Sequence, residues 1–355
     1  MKIVLFGNAT EKNAGIRYRV LRFAEMLAGE GHSCVLCLPS SVALWERLYN
    51  SGGRAGKLVY LLSVLARRAF QLRHVVGADV VFFRGPVFLY GPTVFERLIR
   101  LSGDRMVFDI DDAVWEHPAY VRSVFLRFQD FEWFWKMGRM CAHGIVGNAY
   151  LEGQLRGRGI ESTIIPTCID PRIHIQKEYG GRDDGRPVVL GWTGLSNNLG
   201  HMDAIGDVLR RLAHERNIVL MVASDEDYRL DGVNVVNRRW KLADEVAYLQ
   251  EPDIGLMPLV DSPRARGKCA FKALQFMGVG TPCVVSPVGM NAEIIEDGET
   301  GFLARTPEEW HDKLLRLIDD AVLRERMGHA ARAAVLERFT HEVHFETFKK
   351  ALFGG

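Results

Sequence analysis

The sequence predicts an α/β protein with two doubly wound domains, each a parallel β-sheet with helices on both faces. Short runs rich in β-branched and aromatic residues alternate with amphipathic helical stretches along the chain. The alternation stops at a segment rich in Gly, Asp and Arg, residues 176–187, and then restarts. The length of 355 residues also exceeds what one hydrophobic core usually supports.

The first predicted domain covers residues 1–175. It opens with the strand KIVLF and the helix GIRYRVLRFAEMLAGEGH, whose Val20, Phe23, Ala24 and Leu27 share one face. The strand SCVLCLP follows, and a strand–helix–strand unit of this kind implies parallel strands. Further strands are predicted in ADVVFFR, RMVFDID, HGIVGN and STIIPT.

The second predicted domain covers residues 176–337, with 176–187 as the linker that leads into it. Strands are predicted in PVVLGWTG, NIVLMVAS, GVNVVN, DIGLMPL and TPCVVSP, and helices near 201–213 and over 307–337. The last segment, 338–355, is predicted to be a helix that returns to the first domain.

Composition excludes several classes of protein. With 48% hydrophobic residues and a net charge of +1, the chain is typical of globular proteins and lacks the basic excess of a general nucleic-acid binder. No apolar run is long enough to span a bilayer, and the N-terminal run is too short for a signal peptide. Cys34 and Cys37 form a CxxC inside an apolar strand, for which core packing is favoured over metal or redox chemistry. These features predict a cytoplasmic protein.

Common nucleotide-binding motifs are missing from the loops where they would be expected. The turns FGNATEKNAGIRYR and WTGLSNNLGHMD do not have the GxGxxG spacing, and there is no GxxxxGK[ST] sequence. Dinucleotide-dependent oxidoreductases and P-loop NTPases are therefore disfavoured.

A local group of cations follows the strand DIGLMPL, in the segment SPRARGKCAFK. Its members are Arg264, Arg266, Lys268 and Lys272, and Asp261 is the one acid beside them. A helix is predicted to begin near Lys268, where cations oppose the helix dipole. Because a helix N-terminus favours phosphate, this conflict favours an anionic ligand. The alternative is that the arginines are solvated loop residues.

The segment KCAFKALQFMGVGTPCVVSPVGMNAEIIEDGETGFLA resembles the donor-binding segment of glycosyltransferase family 4, of the glycosyl transferases group 1 type. IIPTCIDP and GWTGLSNNLGHMDAI are also similar to segments of that family. The resemblance is strong over 254–305 and weak in the first domain. It implies the GT-B fold, in which two Rossmann-like domains face a central cleft.

The resemblance also implies a function. Family members are retaining enzymes that transfer a sugar from a nucleotide-diphosphate sugar, here to a glycan or lipid-linked glycan acceptor in cell-surface polysaccharide or glycoconjugate biosynthesis. They need no cofactor or bound metal, so side chains must stabilise the leaving diphosphate. The alternatives are a nucleotide-sugar epimerase on a similar frame and a non-catalytic protein that binds nucleotide sugars.

Two glutamates that the family commonly carries in the donor site fall on Gly267 and Gln275 here. Gln275 can still serve ribose hydroxyls, whereas Gly267 has no side chain for the sugar. The family's usual phosphate-binding cations are also missing from WTGLSNNLGHM. Arg266 and Lys268 are therefore predicted to replace them as catalytic residues that hold the diphosphate. The other predicted donor-binding residues are Gly194, Lys272, Phe271, Gln275, Arg238 and Gly289.

On the first domain, the segment MVFDIDDAVWEHP places Asp109, Asp111 and Asp112 at the end of a strand. By resemblance, Asp109 is predicted to be catalytic, and Asp111 and Asp112 to face the acceptor together with Arg17 and Arg19. Capping of a following helix is an equal alternative for Asp111 or Asp112, and a solvated helix face is one for the arginines. Metal binding and a phosphatase-like nucleophile are disfavoured. A later histidine, His117, is noted as a further acceptor-side position.

Two amphipathic segments, residues 56–76 and 125–140, combine apolar or aromatic residues with cations. The apolar face of the first is formed by Leu58, Leu61, Leu62, Leu65, Leu72 and Val76. Domain core with a basic rim is the preferred interpretation. The alternative is peripheral contact with an anionic membrane at its inner face, which would fit a lipid-linked acceptor.

Overall fold

The computed structural model describes residues 1–88, 93–116, 132–179 and 185–354, and the chain divides into two compact units. The first unit is Met1–Cys168 with His344–Gly355, and the second is Ile169–Val343. The boundaries expected from the sequence, 175/176 and 337/338, both fall inside the second unit.

The first unit is built on six parallel strands in the order β2-β1-β3-β4-β5-β6. The strands are β1 (Lys2–Gly7), β2 (Ser33–Cys37), β3 (Val80–Arg84), β4 (Arg105–Ile110), β5 (His143–Val146) and β6 (Ser162–Ile164). In register, Leu5 lies between Leu36 and Phe82. The carboxyl ends of β1, β3 and β4 therefore lie side by side at one edge.

Helices cover this sheet. They are Ala14–Ile16, the π-helical Arg17–Leu21, Arg22–Gly29, Val42–Leu44, the π-helical Trp45–Asn50, Gly53–Gln71, the 3₁₀ turn Leu72–His74, Val94–Arg100, Trp133–Met140, Ala149–Arg156 and the last helix His341–Phe353. The predicted face of the first long helix is confirmed, because Val20, Phe23 and Leu27 are buried in the core. Phe348 of the last helix stacks on Phe23 with ring centroids 4.1 Å apart.

The second unit has six parallel strands in the order β12-β11-β10-β7-β8-β9. The strands are β7 (Val188–Thr193), β8 (Ile218–Ser224), β9 (Val235–Arg239), β10 (Ile254–Met257), β11 (Cys283–Val285) and β12 (Phe302–Leu303). Counted from β9, the order is 3-2-1-4-5-6, the doubly wound order in which β7 and β10 flank the point where the direction of winding reverses. Ligands of such sheets bind at the carboxyl ends of these strands.

The helices of the second unit alternate with these strands. They are the 3₁₀ turns Ser196–Asn198 and Leu242–Asp244, and the helices Gly200–Asp203, Gly206–Glu215, Glu245–Gln250, Pro263–Arg266, Phe271–Gly278, Asn291–Ile294, Pro307–Asp319 and Ala321–Arg338. The predicted fold of two doubly wound parallel sheets is confirmed. Of the twelve strands in the described ranges, the sequence misses β12, which has only two residues and therefore no measurable periodicity.

The predicted linker is attached to the second unit where the structure describes it. Residues 180–184 lie outside the described residues. Before them, the Lys177 N–H donates to Val279 O at 2.8 Å and the Tyr179 hydroxyl donates to Gly280 O at 2.6 Å. Residues 176–179 are therefore not a detached linker, because hydrogen bonds tie them to the unit.

The CxxC lies on an edge strand. Cys37 is buried and Cys34 half-buried on β2, and both are thiols. Burial raises the pKa of Cys37 to about 11. Within the described ranges, no group of three or more His, Cys, Asp or Glu side chains is arranged to hold a metal ion.

The two amphipathic segments differ in burial. In 125–140, residues 125–131 lie outside the described part of the chain, and Trp133, Phe134, Trp135 and Met137 belong to the core. In 56–76, by contrast, Leu58, Leu62, Leu65 and Val76 are exposed, so the core interpretation is wrong there. No helix in the described residues has the length and apolar character needed to cross a membrane.

Candidate functional site

Three loops of the second unit meet at the carboxyl edge of its sheet. They follow β7, β10 and β11, which are neighbours in the sheet. Each carries residues that the sequence predicts to bind a ligand. The site is built from the contacts between these loops.

The loop after β7 is bonded to the residue that follows β8. The Ser196 N–H donates to Asp225 Oδ1 at 2.6 Å, and the Ser196 hydroxyl donates to Asp225 Oδ2 at 3.1 Å. Burial raises the pKa of Asp225, but these hydrogen bonds outweigh it and hold the pKa below its usual range. At Gly194, a Cβ atom would lie 2.5 Å from Lys272 Cε. The loop therefore packs directly on the Lys272 side chain, and a larger residue at 194 would push that side chain away and also meet the buried Trp192 ring, 2.9 Å from the added Cβ.

Lys272 also borders the sheet. Its ammonium nitrogen lies 5.5 Å from the ring centroid of Trp192, within the range of a cation–π contact. Trp192 is 2% exposed and belongs to the core, as its position on the strand predicts. The buried Trp192 ring thus packs under the Lys272 side chain and restricts its position beside the β7 loop.

The loop after β10 contains a short helix, Pro263–Arg266, before the main helix Phe271–Gly278. The Ser262 hydroxyl accepts the Ala265 N–H at 3.1 Å and caps the short helix. Ala270 has φ +51°, a left-handed conformation that separates the two helices. The main helix thus begins three residues after Lys268, near which the sequence predicts its start, and Lys268 lies in the connection between the helices.

Arg266 is held by the acid beside it. Its Nε and Nη2 donate to the two carboxylate oxygens of Asp261 at 2.8 and 2.7 Å, and both side chains are half exposed. The hydrogen bond from Arg266 lowers the pKa of Asp261. For Arg266 to bind a diphosphate, as the sequence predicts, it would have to exchange this partner.

His201 is a site residue that the sequence reasoning did not single out. Its Nδ1 accepts the Val260 N–H at 3.2 Å, so the neutral ring carries its proton on Nε2. Burial lowers the pKa of His201, and the positive charges of Lys268 and Lys272 lower it further. The potentials of both lysines therefore act at the same point, between the β7 and β10 loops. The sequence feature that could have identified His201 is its position in the loop after the first strand of the second domain.

The loop after β11 completes the site. Gly289 has φ +55°, and a Cβ atom there would lie 2.6 Å from Arg266 O. The Ser286 hydroxyl accepts the Leu259 N–H at 3.0 Å, and Asn291 Nδ2 donates to Ser286 O at 3.0 Å. Ser286 thus fixes the β10 loop to the β11 loop, and Asn291 holds the β11 loop itself, roles that the sequence does not reveal.

The other predicted donor-binding residues lie at different depths. Phe271 begins the main helix and is half-buried, while Gln275 lies one turn further and is 4% exposed. Arg238 is on the edge strand β9 and pairs with Glu251 at 2.9 Å. Because β8 separates β9 from β7, the structure does not bring Arg238 together with the two lysines. Its contact with the base stays a prediction.

The first unit has a charged cluster of a different kind at the ends of β3 and β4. Arg19 donates from Nε to both oxygens of Asp109, at 3.0 and 2.9 Å, and from Nη1 to Ile165 O at 2.9 Å. Arg84 Nε lies 3.2 Å from Asp109 Oδ2, and Arg84 Nη2 binds Asp111. Two arginines and two aspartates thus alternate in one network. The sequence analysis did not identify Arg84 as a site residue.

This network bears on the roles predicted for its members. Arg19 is 2% exposed and Asp109 is 1% exposed, so the solvated helix face is wrong for Arg19, while acceptor contact by Arg19 and catalysis by Asp109 stay predictions. The Asp109 carboxylate is covered by two guanidinium groups and acts here as a structural partner. Asp111 keeps 24% of its side-chain exposure. Burial opposes its ionisation, but the charges of Arg84 and Arg19 hold its pKa below the usual range.

The remaining acceptor-side residues have local contacts. Arg17 lies over the Tyr18 ring, 4.8 Å from its centroid. Asp112 Oδ1 accepts the Ala113 N–H at 3.0 Å in a turn that stays non-helical through Glu116, so helix capping is not seen over 111–116. His117 lies outside the described residues. Contact of Arg17, Asp111 and Asp112 with an acceptor stays a prediction.

Comparison with known proteins yields a family match on the second unit. The family model described as "Glycosyl transferases group 1" matches residues 187–320, which include all three loops of the site. The chain is 30% identical over 172 residues to alpha-D-kanosaminyltransferase of Streptomyces kanamyceticus, covering 45% of this chain and 43% of that protein. It is 35% identical over 71 residues to N-acetyl-alpha-D-glucosaminyl L-malate synthase of Bacillus anthracis, or 19% of each chain. These matches span less than half the length of either relative.

Among solved structures, HepE of Anabaena in complex with UDP-glucose is similar over 100% of both chains, with a TM-score of 0.69 and 16% sequence identity. At this identity the likeness establishes the fold alone. The fold is the two-domain α/β architecture of GT-B glycosyltransferases, in agreement with the prediction from the sequence.

Proposed function

We propose that this chain is a retaining glycosyltransferase. Its donor would be a nucleotide-diphosphate sugar and its acceptor a glycan or lipid-linked glycan, in cell-surface polysaccharide or glycoconjugate biosynthesis. The observation that carries the proposal is the position of Lys272 against Gly194 and Trp192 at the β7/β10 reversal point, beside the β10 loop that bonds His201. The positive charges of Lys268 and Lys272 both act on that histidine and lower its pKa further than burial alone. The matched relatives support it, since both are named for the attachment or synthesis of sugar-containing products, and HepE binds UDP-glucose.

The donor diphosphate would lie against the two lysines. Lys272 is in the first turn of the helix Phe271–Gly278, where the helix dipole adds to its positive charge. Lys268 lies just before that helix, and between Asp253 and Glu293 the sequence has four cations and one acid. A dianionic group would relieve this local excess. The neutral His201 ring, with its proton on Nε2, would donate a hydrogen bond to a phosphate oxygen.

The chemistry would need no enzyme base. An acceptor hydroxyl attacks the anomeric carbon, and the bond from that carbon to the diphosphate oxygen breaks on the same face, so the configuration is retained. The hydroxyl proton passes to the departing diphosphate. The lysines stabilise the negative charge that develops on the leaving group, the largest demand in such a step. A metal would then be unnecessary, and we expect chelation with EDTA to leave the rate unchanged.

The test is a comparison of Lys268→Ala with the wild type. Thermal shift against a panel of nucleotide sugars first identifies the donor, since a ligand that binds the native state raises the melting temperature. We expect Lys268→Ala to lower kcat/KM for that donor by roughly a hundredfold or more, the usual loss for one transition-state contact. Arg326→Ala removes an exposed cation on the helix Ala321–Arg338 and is the matched control.

Two results would contradict the proposal. One is turnover by Lys268→Ala close to that of the wild type. The other is a shift in melting temperature without any sugar transfer or donor hydrolysis by the wild type, which would favour a non-catalytic binding protein.

A further inference from the structure

The helix Gly53–Gln71 of the first unit differs from an ordinary surface helix. It buries Tyr60 and Val64 in the core as expected, but its outer face is apolar too, where soluble helices are usually polar. The exposed fractions on that face are 59% for Leu58, 52% for Val59, 58% for Leu62, 44% for Leu65 and 58% for Phe70. Scattered exposed apolar residues are normal, but a contiguous row along one helix marks an interaction surface.

Polar contacts on the inner face explain why the helix cannot rotate about its axis to bury the outer leucines. Arg68 is fully buried and donates to the carbonyl oxygens of Val87 at 2.7 Å and Cys37 at 2.8 Å, and also to Gly7 O. Gln71 Nε2 donates to Leu38 O at 2.9 Å. Rotation that buried the leucines would leave the Arg68 charge without these acceptors, at a large cost in free energy. The apolar row is therefore held outward.

The stretch of chain that forms this helix carries charge of one sign. Residues 47–78 contain six Lys and Arg and no Asp or Glu. Arg54, Lys57, Arg67 and Arg73 are exposed along the helix and the turn after it. Arg73 stacks over the exposed ring of Phe70, 3.6 Å from its centroid. Apolar side chains and cations thus share one surface.

We propose that this outer face docks on an anionic lipid bilayer, with the helix lying in the plane of the interface. The leucines and Phe70 would enter the acyl boundary while the cations meet the lipid phosphates, which is how a basic amphipathic helix binds a surface. Charge complementarity selects this occupant over a second copy of the chain, because two such faces would bring cations against cations. The proposal does not depend on the function of the second unit.

The experiment is flotation of the full chain with vesicles of three parts phosphatidylcholine to one part phosphatidylglycerol, and with phosphatidylcholine alone. We expect binding to the anionic vesicles only, lost in high salt. Leu58→Ser/Leu62→Ser should weaken binding roughly tenfold or more per leucine. Arg54→Gln/Lys57→Gln should weaken it about fivefold per cation.

Matched variants in the second unit provide the controls. Val322→Ser/Leu336→Ser changes two exposed apolar residues of the helix Ala321–Arg338, and Arg229→Gln/Arg305→Gln removes two exposed cations. Both should float like the wild type. The proposal is overturned if the wild type does not float, if it binds both vesicles equally, or if Leu58→Ser/Leu62→Ser floats unchanged. It is also overturned if light scattering shows a dimer that this variant abolishes, while vesicles are not bound.

Discussion

The two units each place charged residues at the carboxyl edge of a parallel sheet, but the two clusters differ in balance and burial. In the first unit, Arg19, Asp109, Arg84 and Asp111 alternate in sign and sum to zero. In the second, the stretch that contains Lys268 and Lys272 has four cations and one acid, and its residues range from buried to exposed.

The difference indicates what each cluster does. A balanced, buried network satisfies its own charges, so its effect is on folding and on the position of neighbouring loops. A local excess of one sign at the reversal point of a doubly wound sheet creates a potential for a ligand of the other sign. Removal of one charge should therefore affect stability in the first unit and ligand binding in the second.

The largest expected effect is on stability, from Asp109→Ala. The substitution leaves Arg19 buried beside Arg84 without the carboxylate between them, and loss of one partner of a buried pair costs about 3–5 kcal/mol. Urea unfolding of the chain measures the free energy of unfolding. Lys268→Ala, measured alongside, should change it by less than about 0.5 kcal/mol, as is usual for exposed or half-exposed positions.

A double variant separates the cost of an unpaired buried charge from the cost of lost side-chain packing. Arg19→Met/Asp109→Leu removes one charge of each sign and leaves the Arg84–Asp111 pair. We expect it to recover most of the stability lost in Asp109→Ala, because apolar replacement of a buried pair is often neutral. If Asp109→Ala and Lys268→Ala cost the same stability, the contrast between the two clusters would be rejected.

The sequence predicted the sheets better than the site. Strands such as KIVLF and NIVLMVAS are continuous apolar runs, and burial on both faces of a parallel sheet produces that pattern directly. The apolar face predicted for 56–76 includes Leu58, Leu62 and Leu65, which do share the outer face of the helix, but it was assigned to the core and extended past the end of the helix at Gln71. Periodicity shows which residues share a face and does not show whether that face meets the core, and here Arg68 decides the orientation.

The site depended on contacts between distant segments. Arg19 and Asp109 are separated by 90 residues, and nothing near either one indicates that they are partners. Burial lowers the pKa of His201 most, and the further lowering comes from lysines about seventy residues away in the chain. By contrast, Lys268 and Lys272 lie in one short stretch with a visible excess of charge, so local composition was enough to select them.

An intermediate effect is expected at the contact between the β10 and β11 loops. Gly289→Ala forces an alanine into a left-handed conformation, at a cost of about 1–2 kcal/mol, and pushes on Arg266 O. Gly298→Ala is the matched control, because Gly298 also has a positive φ but its Cβ would have no neighbour closer than 4.0 Å. Both should lose similar stability from the backbone. Only Gly289→Ala should also raise KM for the donor, and an equal KM in both variants would show that this contact does not shape the site.

The smallest effect is on the titration of His201, and it tests the positive potential directly. Burial is the largest cause of its lowered pKa and the two lysines add to it, so Lys268→Met should raise the pKa without returning it to the usual value. Imidazole resonances followed by NMR against pH measure this shift. Arg326 is exposed and is not among the charges that act on His201, so Arg326→Met should leave the titration unchanged.

The same histidine links the site to stability. Its pKa is lower in the folded chain, so the unfolded chain binds more protons between the two pKa values. This contribution to stability is fully present above the unfolded pKa of about 6.5 and declines as the pH falls toward the folded pKa. A bound nucleoside diphosphate would offset the lysine charges and raise the His201 pKa in the folded chain. The difference between the folded and unfolded pKa values would then be smaller. A pKa that stays fixed when UDP binds would place the diphosphate away from Lys268 and Lys272, and the second cluster would then lose the role that distinguishes it from the first.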